Sequence, residues 1–228
     1  MTALARPRAM LQPNRIPPAA EPPNRVLLHD VDWDTYVTVA DAFPDRAIRF
    51  TYDQGALEIM TVAGLHERLK SLLAYLVLII ADELDRDIAC FGSFTHRRKD
   101  LARALEPDCC FYIANFAIVN GRTDIDLLKD PPPDLEIEVE ISRSLLDRLA
   151  ILQALKVGEV WRVDEKRIRV LVLGDARYEQ VERSPSFPEV PVTEMHRLIV
   201  LGVAHGERAM LKELRTWLRK GPKKSKGK

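Results

Sequence analysis

Pro131-Pro132-Pro133-Asp134-Leu135-Glu136-Ile137-Glu138-Val139-Glu140-Ile141-Ser142 is the stretch that decides the fold. The prolines end whatever precedes them, because a proline has no amide proton to donate. From Leu135 onward apolar and acidic residues alternate strictly, which is the period of a β-strand. Leu135, Ile137, Val139 and Ile141 share one face, and Glu136, Glu138 and Glu140 share the other. Like charges along one face repel. Upstream, Glu106-Pro107-Asp108 opens a second apolar run, Cys109-Cys110-Phe111-Tyr112-Ile113. If the two strands pair, Asp108 and one or two of the glutamates converge. Carboxylates about 4 Å apart are unfavourable unless some protonate or a cation joins them.

Working outward from that strand, Ser144 is placed to cap a helix through Leu145, Leu149, Leu152 and Leu155, with Gly158 as its stop. Residues 160–163 and 168–172 then read as a hairpin, and residues 178–181 as an edge strand. Thr193 is placed to cap one helix, and residues 207–219 form another. Toward the N-terminus, Leu65, Leu69, Leu72, Leu73, Leu76, Ile79, Ile80 and Leu84 mark the buried stripe of a long helix that starts at Gly64. Before it come a helix over residues 33–42, capped by Asp32, and a hairpin of residues 47–52 and 56–60 that turns at Asp53-Gln54-Gly55. Strands are predicted over residues 88–91, 95–98 and 109–113, and short helices near Phe116 and Ile125. The sum is a mixed sheet flanked by helices, an α/β (α+β) domain. No glycine-rich phosphate loop is present, which disfavours a nucleotide-binding fold.

At 228 residues and 46% hydrophobic content the chain can bury one sizeable core. Residues 1–25, dense in proline, read as a disordered lead. Residues 26–220 form the domain, and residues 221–228 a basic tail able to add salt-sensitive phosphate attraction. The charge is balanced, 34 basic against 34 acidic residues, so a nucleic-acid surface must come from local patches. Arg97-Arg98-Lys99 is the densest such cluster inside the fold, although a solvated loop explains a lone charge run equally well. Cys90, Cys109 and Cys110 have neither metal spacing nor an even count. They read as reduced core residues of a cytoplasmic protein. No signal peptide opens the chain, and its most apolar run is too short to span a bilayer.

Three chemistries suit the acidic pair. A magnesium-dependent phosphodiesterase holds its ion with an Asp on one strand and a Glu on the next. A glycosidase needs two separated acids, and glutamates two residues apart on one strand serve that poorly. The third reading is structural: the glutamates are the wet face of an amphipathic strand. A wet face does not require a second acidic strand start beside it, and Asp108 provides one.

The Glu106-Pro107-Asp108 start, Pro133-Asp134-Leu135 leading to Glu138, and Val157-Gly158-Glu159-Val160-Trp161-Arg162-Val163-Asp164 resemble the Uma-two family of restriction endonucleases, in the PD-(D/E)XK nuclease superfamily. The hairpin ending in Glu58-Ile59-Met60, the pair His66-Glu67, Gly92-Ser93 and Trp217 extend the resemblance from Asp32 to Trp217. It implies a restriction-endonuclease-like mixed sheet flanked by helices, and a Mg²⁺-dependent endonuclease acting on DNA. Asp108 and Glu138 are then the metal ligands, with Glu58 or His66 as the accessory residue. Taken alone, His66 reads equally as a half-exposed residue at a helix start. The chain departs from the superfamily two positions after Glu138, where Glu140 replaces a lysine; Glu140 is then a candidate third ligand. Arg148 stands where related sequences carry a helix lysine. Arginine supplies the charge but no base. A homodimer follows by analogy, because two DNA strands need two sites. The alternative function is a degenerate nucleic-acid-binding or assembly module that keeps the nuclease fold.

Overall fold

The computed structural model describes Ile16, residues 24–43 and residues 48–220. The basic tail and almost all of the proline-rich lead lie outside the described residues. Ile16 is buried in the main core, and its amide donates to the Glu165 carbonyl at 3.2 Å.

The described strands divide into two sheets. The first has the order β1 (Arg25–Leu28), β3 (Ala56–Thr61), β2 (Ile48–Asp53), β6 (Arg103–Leu105), β5 (His96–Arg98), and every pair in it is antiparallel. The second runs β11 (Tyr178–Val181), β10 (Ile168–Leu173), β9 (Glu159–Val163), β8 (Leu135–Val139), β7 (Cys109–Tyr112), β4 (Ala89–Gly92). It is mixed: β8 and β9 are parallel, and the other pairs are antiparallel. A parallel pair needs a crossover. Helix α4 (Arg148–Ala154) lies on the path between β8 and β9.

The mixed α+β class agrees with the sequence reading; the division into two sheets is additional. Its cause lies in Glu106-Pro107-Asp108. Pro107 has no amide proton, so the ladder that ends at Leu105 in the first sheet cannot run on. The chain restarts at Cys109 in the second sheet, paired with Ile137. Asp108 therefore stands where the chain crosses from one sheet to the other.

Helix α2 (Gly64–Glu83) covers one face of the second sheet together with α5 (Val192–His205) and α6 (Glu207–Lys220). Leu69, Leu72, Leu73, Leu76, Val77 and Ile80 are fully buried along its stripe, against Leu135, Ile137 and Val139. Each such side chain contributes roughly 1.5–3 kcal/mol relative to exposure. Gly202 sits where α5 meets α2: a Cβ there would lie 2.8 Å from a Leu72 methyl. Helix α4 covers the opposite face with Ile151 and Leu152, beside Tyr112, Val160 and Leu171. Helix α1 (Trp33–Asp41) is capped by Asp32, which accepts from Thr35 N at 2.7 Å, and packs on the first sheet through Tyr36 stacked on Tyr52.

Three sequence expectations shift. Ser144 does not cap α4, which starts later behind Asp147; Asp147 accepts from the Ala150 amide. Ser144 donates to Glu58 instead. Near Ile125 there is no helix; the segment holds one short helix, α3 (Phe116–Val119). Helix α5 begins at Val192, with Pro191 rather than Thr193 in the cap position.

The cysteines also divide. Cys109 and Cys110 are buried and free as read, but Cys90 is exposed. Its sulfur lies 3.5 Å from that of Cys109. A hydrogen bond from the Cys109 thiol, helped by the Gly92 amide and Lys70 and opposed by burial, brings the Cys90 thiol down to about 6. Iodoacetamide is therefore expected to alkylate Cys90 ahead of the other two cysteines, with a half-maximal rate near pH 6 in peptide mapping by mass spectrometry. A profile centred at about 8.5 contradicts this.

Candidate active site

The cleft forms where the two sheets diverge. Its volume is 830 Å³, and β2, β3, the start of α2, the Asp108 corner, β8, the following loop and α4 line it. All six sequence-derived candidates, Glu58, His66, Asp108, Glu138, Glu140 and Arg148, are among its lining residues.

Asp108 is 2% exposed. One oxygen accepts the Val139 amide at 2.6 Å, which pins the carboxylate to β8. The other faces His66 Nε2 at 3.1 Å and Arg49 at 3.4 Å. Burial raises the proton affinity of this group. The His66 hydrogen bond and the charges of His66, Arg49 and Arg148 outweigh it and hold the carboxyl below its ordinary value. His66 is 5% exposed, not half-exposed, because the first turn of α2 turns it onto Asp108.

Glu138 meets Arg148 in a two-point pair, Nε to Oε2 at 2.7 Å and Nη2 to Oε1 at 2.9 Å. The same guanidinium donates to Thr51 Oγ1 at 2.7 Å and to the Glu106 carbonyl at 2.8 Å. Burial pushes the Glu138 carboxyl up, and Arg148 pulls against it. Arg148 itself holds its proton more tightly than a free arginine, because Glu138, Asp108 and Glu136 outweigh its burial.

The glutamate face of β8 is not wet: Glu136 is 0% and Glu138 8% exposed. Glu136 is the more buried of the two. It sits 2.5 Å from His96 Nε2, and the His96 ring packs edge-on against Phe94. Glu140 pairs with Arg162 and, at 3.1 Å, with Arg169. Those two arginines face each other across β9 and β10, so the glutamate offsets their repulsion. Glu58 also has a full set of partners: Arg25 at 3.0 Å, the Ser144 hydroxyl, and the amides of Leu145 and Leu146. It fixes the loop that forms one lip of the cleft.

Arg97 and Arg98 do not line the cleft. Arg97 pairs with Asp41 and Arg98 with Asp100, on the far edge of the first sheet. The basic lining comes instead from Arg25, Arg49, Arg143, Arg148, Arg162 and Arg169. Arg49, missed in the sequence, is buried at 6% exposure and also donates to the Pro107 carbonyl. The signal for it existed: Arg49 and Thr51 alternate with Phe50 and Tyr52 along β2, so one face of that strand is polar. The second Pro-Asp pair plays another part. Asp134 accepts the amides of Ile113 and Asn115 and holds the turn that leaves β7.

A family model described as "Putative restriction endonuclease" matches residues 33–203, well over half of the chain and every lining residue of this cleft except Arg25. The chain belongs to the Uma2 family. Among solved structures, one from Anabaena variabilis, described as "a putative nuclease", matches with a TM-score of 0.48 at 17% identity, covering 67% of this chain and 91% of that chain. No curated protein matches the chain. Among the described residues no helix is long and apolar enough to cross a membrane.

Mg²⁺ takes oxygen donors and keeps several waters, so one or two carboxylates suffice. Asp108 and Glu138 offer such oxygens on one cleft wall. Among the described residues no group of three or more His, Cys, Asp or Glu is arranged to hold an ion. The two carboxylates are thus the donors present for such an ion, and the residue set against it is Arg148.

Proposed function

We infer that this member of the Uma2 family is a metal-dependent endonuclease that hydrolyses DNA phosphodiester bonds, with Asp108 and Glu138 as the Mg²⁺ ligands. The observation that carries this reading is the convergence of these two acids, from adjoining strands, on one arginine-lined cleft. The bound ion would supply Lewis acidity at a phosphate oxygen. The remaining work falls to the chain. The Val139 amide, His66 and Arg49 fix the Asp108 carboxylate in one orientation. Arg148 places a permanent positive charge beside the acids and cannot act as a base. Arg143, on the exposed lip, has no ion-pair partner among the described residues and is available to a backbone phosphate. A cytoplasmic location and a homodimer that cuts both strands accompany this reading.

The degenerate binding-module reading has one observation in its favour: both oxygens of Glu138 are already taken by Arg148. Supercoiled plasmid separates the two. The expected result is nicked or linear product with Mg²⁺ or Mn²⁺ and none with EDTA. DNA retained on a filter without cleavage across a panel of divalent ions contradicts the hydrolase and favours the binding module.

A further inference from the structure

We propose that Arg148 is a built-in counter-ion of Glu138, competing with a divalent ion for that carboxylate, so that ion binding requires the guanidinium to release it. The proposal rests on the hydrolase reading of the cleft and adds to it a restraint on loading.

The geometry carries it. Glu138 is nearly buried and has both oxygens on one planar guanidinium. Paired charge-assisted bonds of this kind are among the stronger polar contacts in proteins. An ion approaching Glu138 therefore meets a carboxylate already neutralised, with a fixed positive charge beside it. Asp108 differs: its partners are one backbone amide, one imidazole and a more distant arginine. Glu138, not Asp108, is the restrained ligand.

The other two contacts of Arg148 explain why release does not eject it. Thr51 Oγ1 and the Glu106 carbonyl are neutral acceptors on β2 and on the link between the sheets. They keep the guanidinium in the cleft when Glu138 is given up, where a phosphate is its natural next partner. A lysine cannot occupy all these positions at once, because its three donors sit on a single atom without the planar fork. The arginine at this position thus makes a restraint that a lysine would not.

The test is Mn²⁺ binding by isothermal titration calorimetry on the full chain, at fixed pH and salt, for wild type, Arg148→Lys, Arg148→Ala and Glu138→Gln. Circular dichroism checks folding, and the lysine variant keeps the experiment decisive if alanine fails to fold. Arg148→Lys is expected to bind Mn²⁺ about tenfold more tightly than wild type, or to bind where wild type does not. Glu138→Gln is expected to lose binding. Wild-type binding that Glu138→Gln abolishes but Arg148→Lys leaves equal or weaker overturns the counter-ion and spares the hydrolase. No binding by any of the four proteins, or binding that Glu138→Gln leaves intact, overturns both.

Discussion

Arg148→Ala is expected to destabilise the fold by about 3–5 kcal/mol, the usual cost of removing one partner from a buried ion pair. The pair qualifies, with the Arg148 and Glu138 side chains only 18% and 10% exposed. Truncation strips Glu138 of both its Arg148 hydrogen-bond donors and leaves Thr51 and the Glu106 carbonyl short of one each. The loss should depend on pH. Burial already holds the Glu138 carboxyl above its ordinary value, and Arg148 is what opposes it, so removing the arginine raises it further. A group whose folded-state pKa is raised binds its proton more tightly when folded. The deficit is therefore full above that raised value and fades as the pH falls toward the unfolded glutamate value of about 4.3. Urea unfolding of the two proteins at neutral pH and near pH 4.5 checks both statements. A loss under about 1 kcal/mol at neutral pH would mean that Glu138 is solvated and that the pair is a surface contact.

The same pair shows where sequence reading stops. The convergence of Asp108 and Glu138 was legible because two local signals coincide: strict alternation from Leu135 and a Pro-Asp strand start. Arg148 was a candidate from the sequence too, but the partners that hold it were not legible. Its partners Thr51 and Glu106 lie 97 and 42 residues away, and no periodicity reports such a contact. Alternation also assigned Glu136 to the correct face of β8 but not to the interior. What covers that face is α4 and the aromatic cluster of Phe91, Phe94 and Tyr112, brought there by topology. With that cover in place, Glu136 is excluded from water and paired with His96.

Two short strands escaped for a different reason. β1 and β6 contain four and three residues, and both begin on an arginine beside a proline-rich or basic stretch that masks them, whereas the equally short β5 and β11 were found. Without β6 the role of Pro107 as the crossing point between sheets cannot be seen. Ser144 was read as a cap because a hydroxyl before an apolar run resembles one. Glu58 makes a stronger claim on it: its carboxylate also takes the next two amides and holds the loop away from helix until Asp147.

The central claim is that the cleft at Asp108 is where phosphodiester bonds are broken. Asp108→Asn is the sharpest probe of it. Asparagine keeps the size and shape and retains one oxygen for the Val139 amide, so the fold should survive. It removes the charge that faces His66 and Arg49 and that would hold an ion. An electrostatic loss of that kind at a reacting centre lowers rates by about a hundredfold or more. Wild type and Asp108→Asn, matched by circular dichroism, are to be compared on supercoiled plasmid with Mg²⁺. Cleavage by wild type, with less than about one hundredth of that rate in the variant, is the predicted result. Equal cleavage by the two proteins would contradict the account.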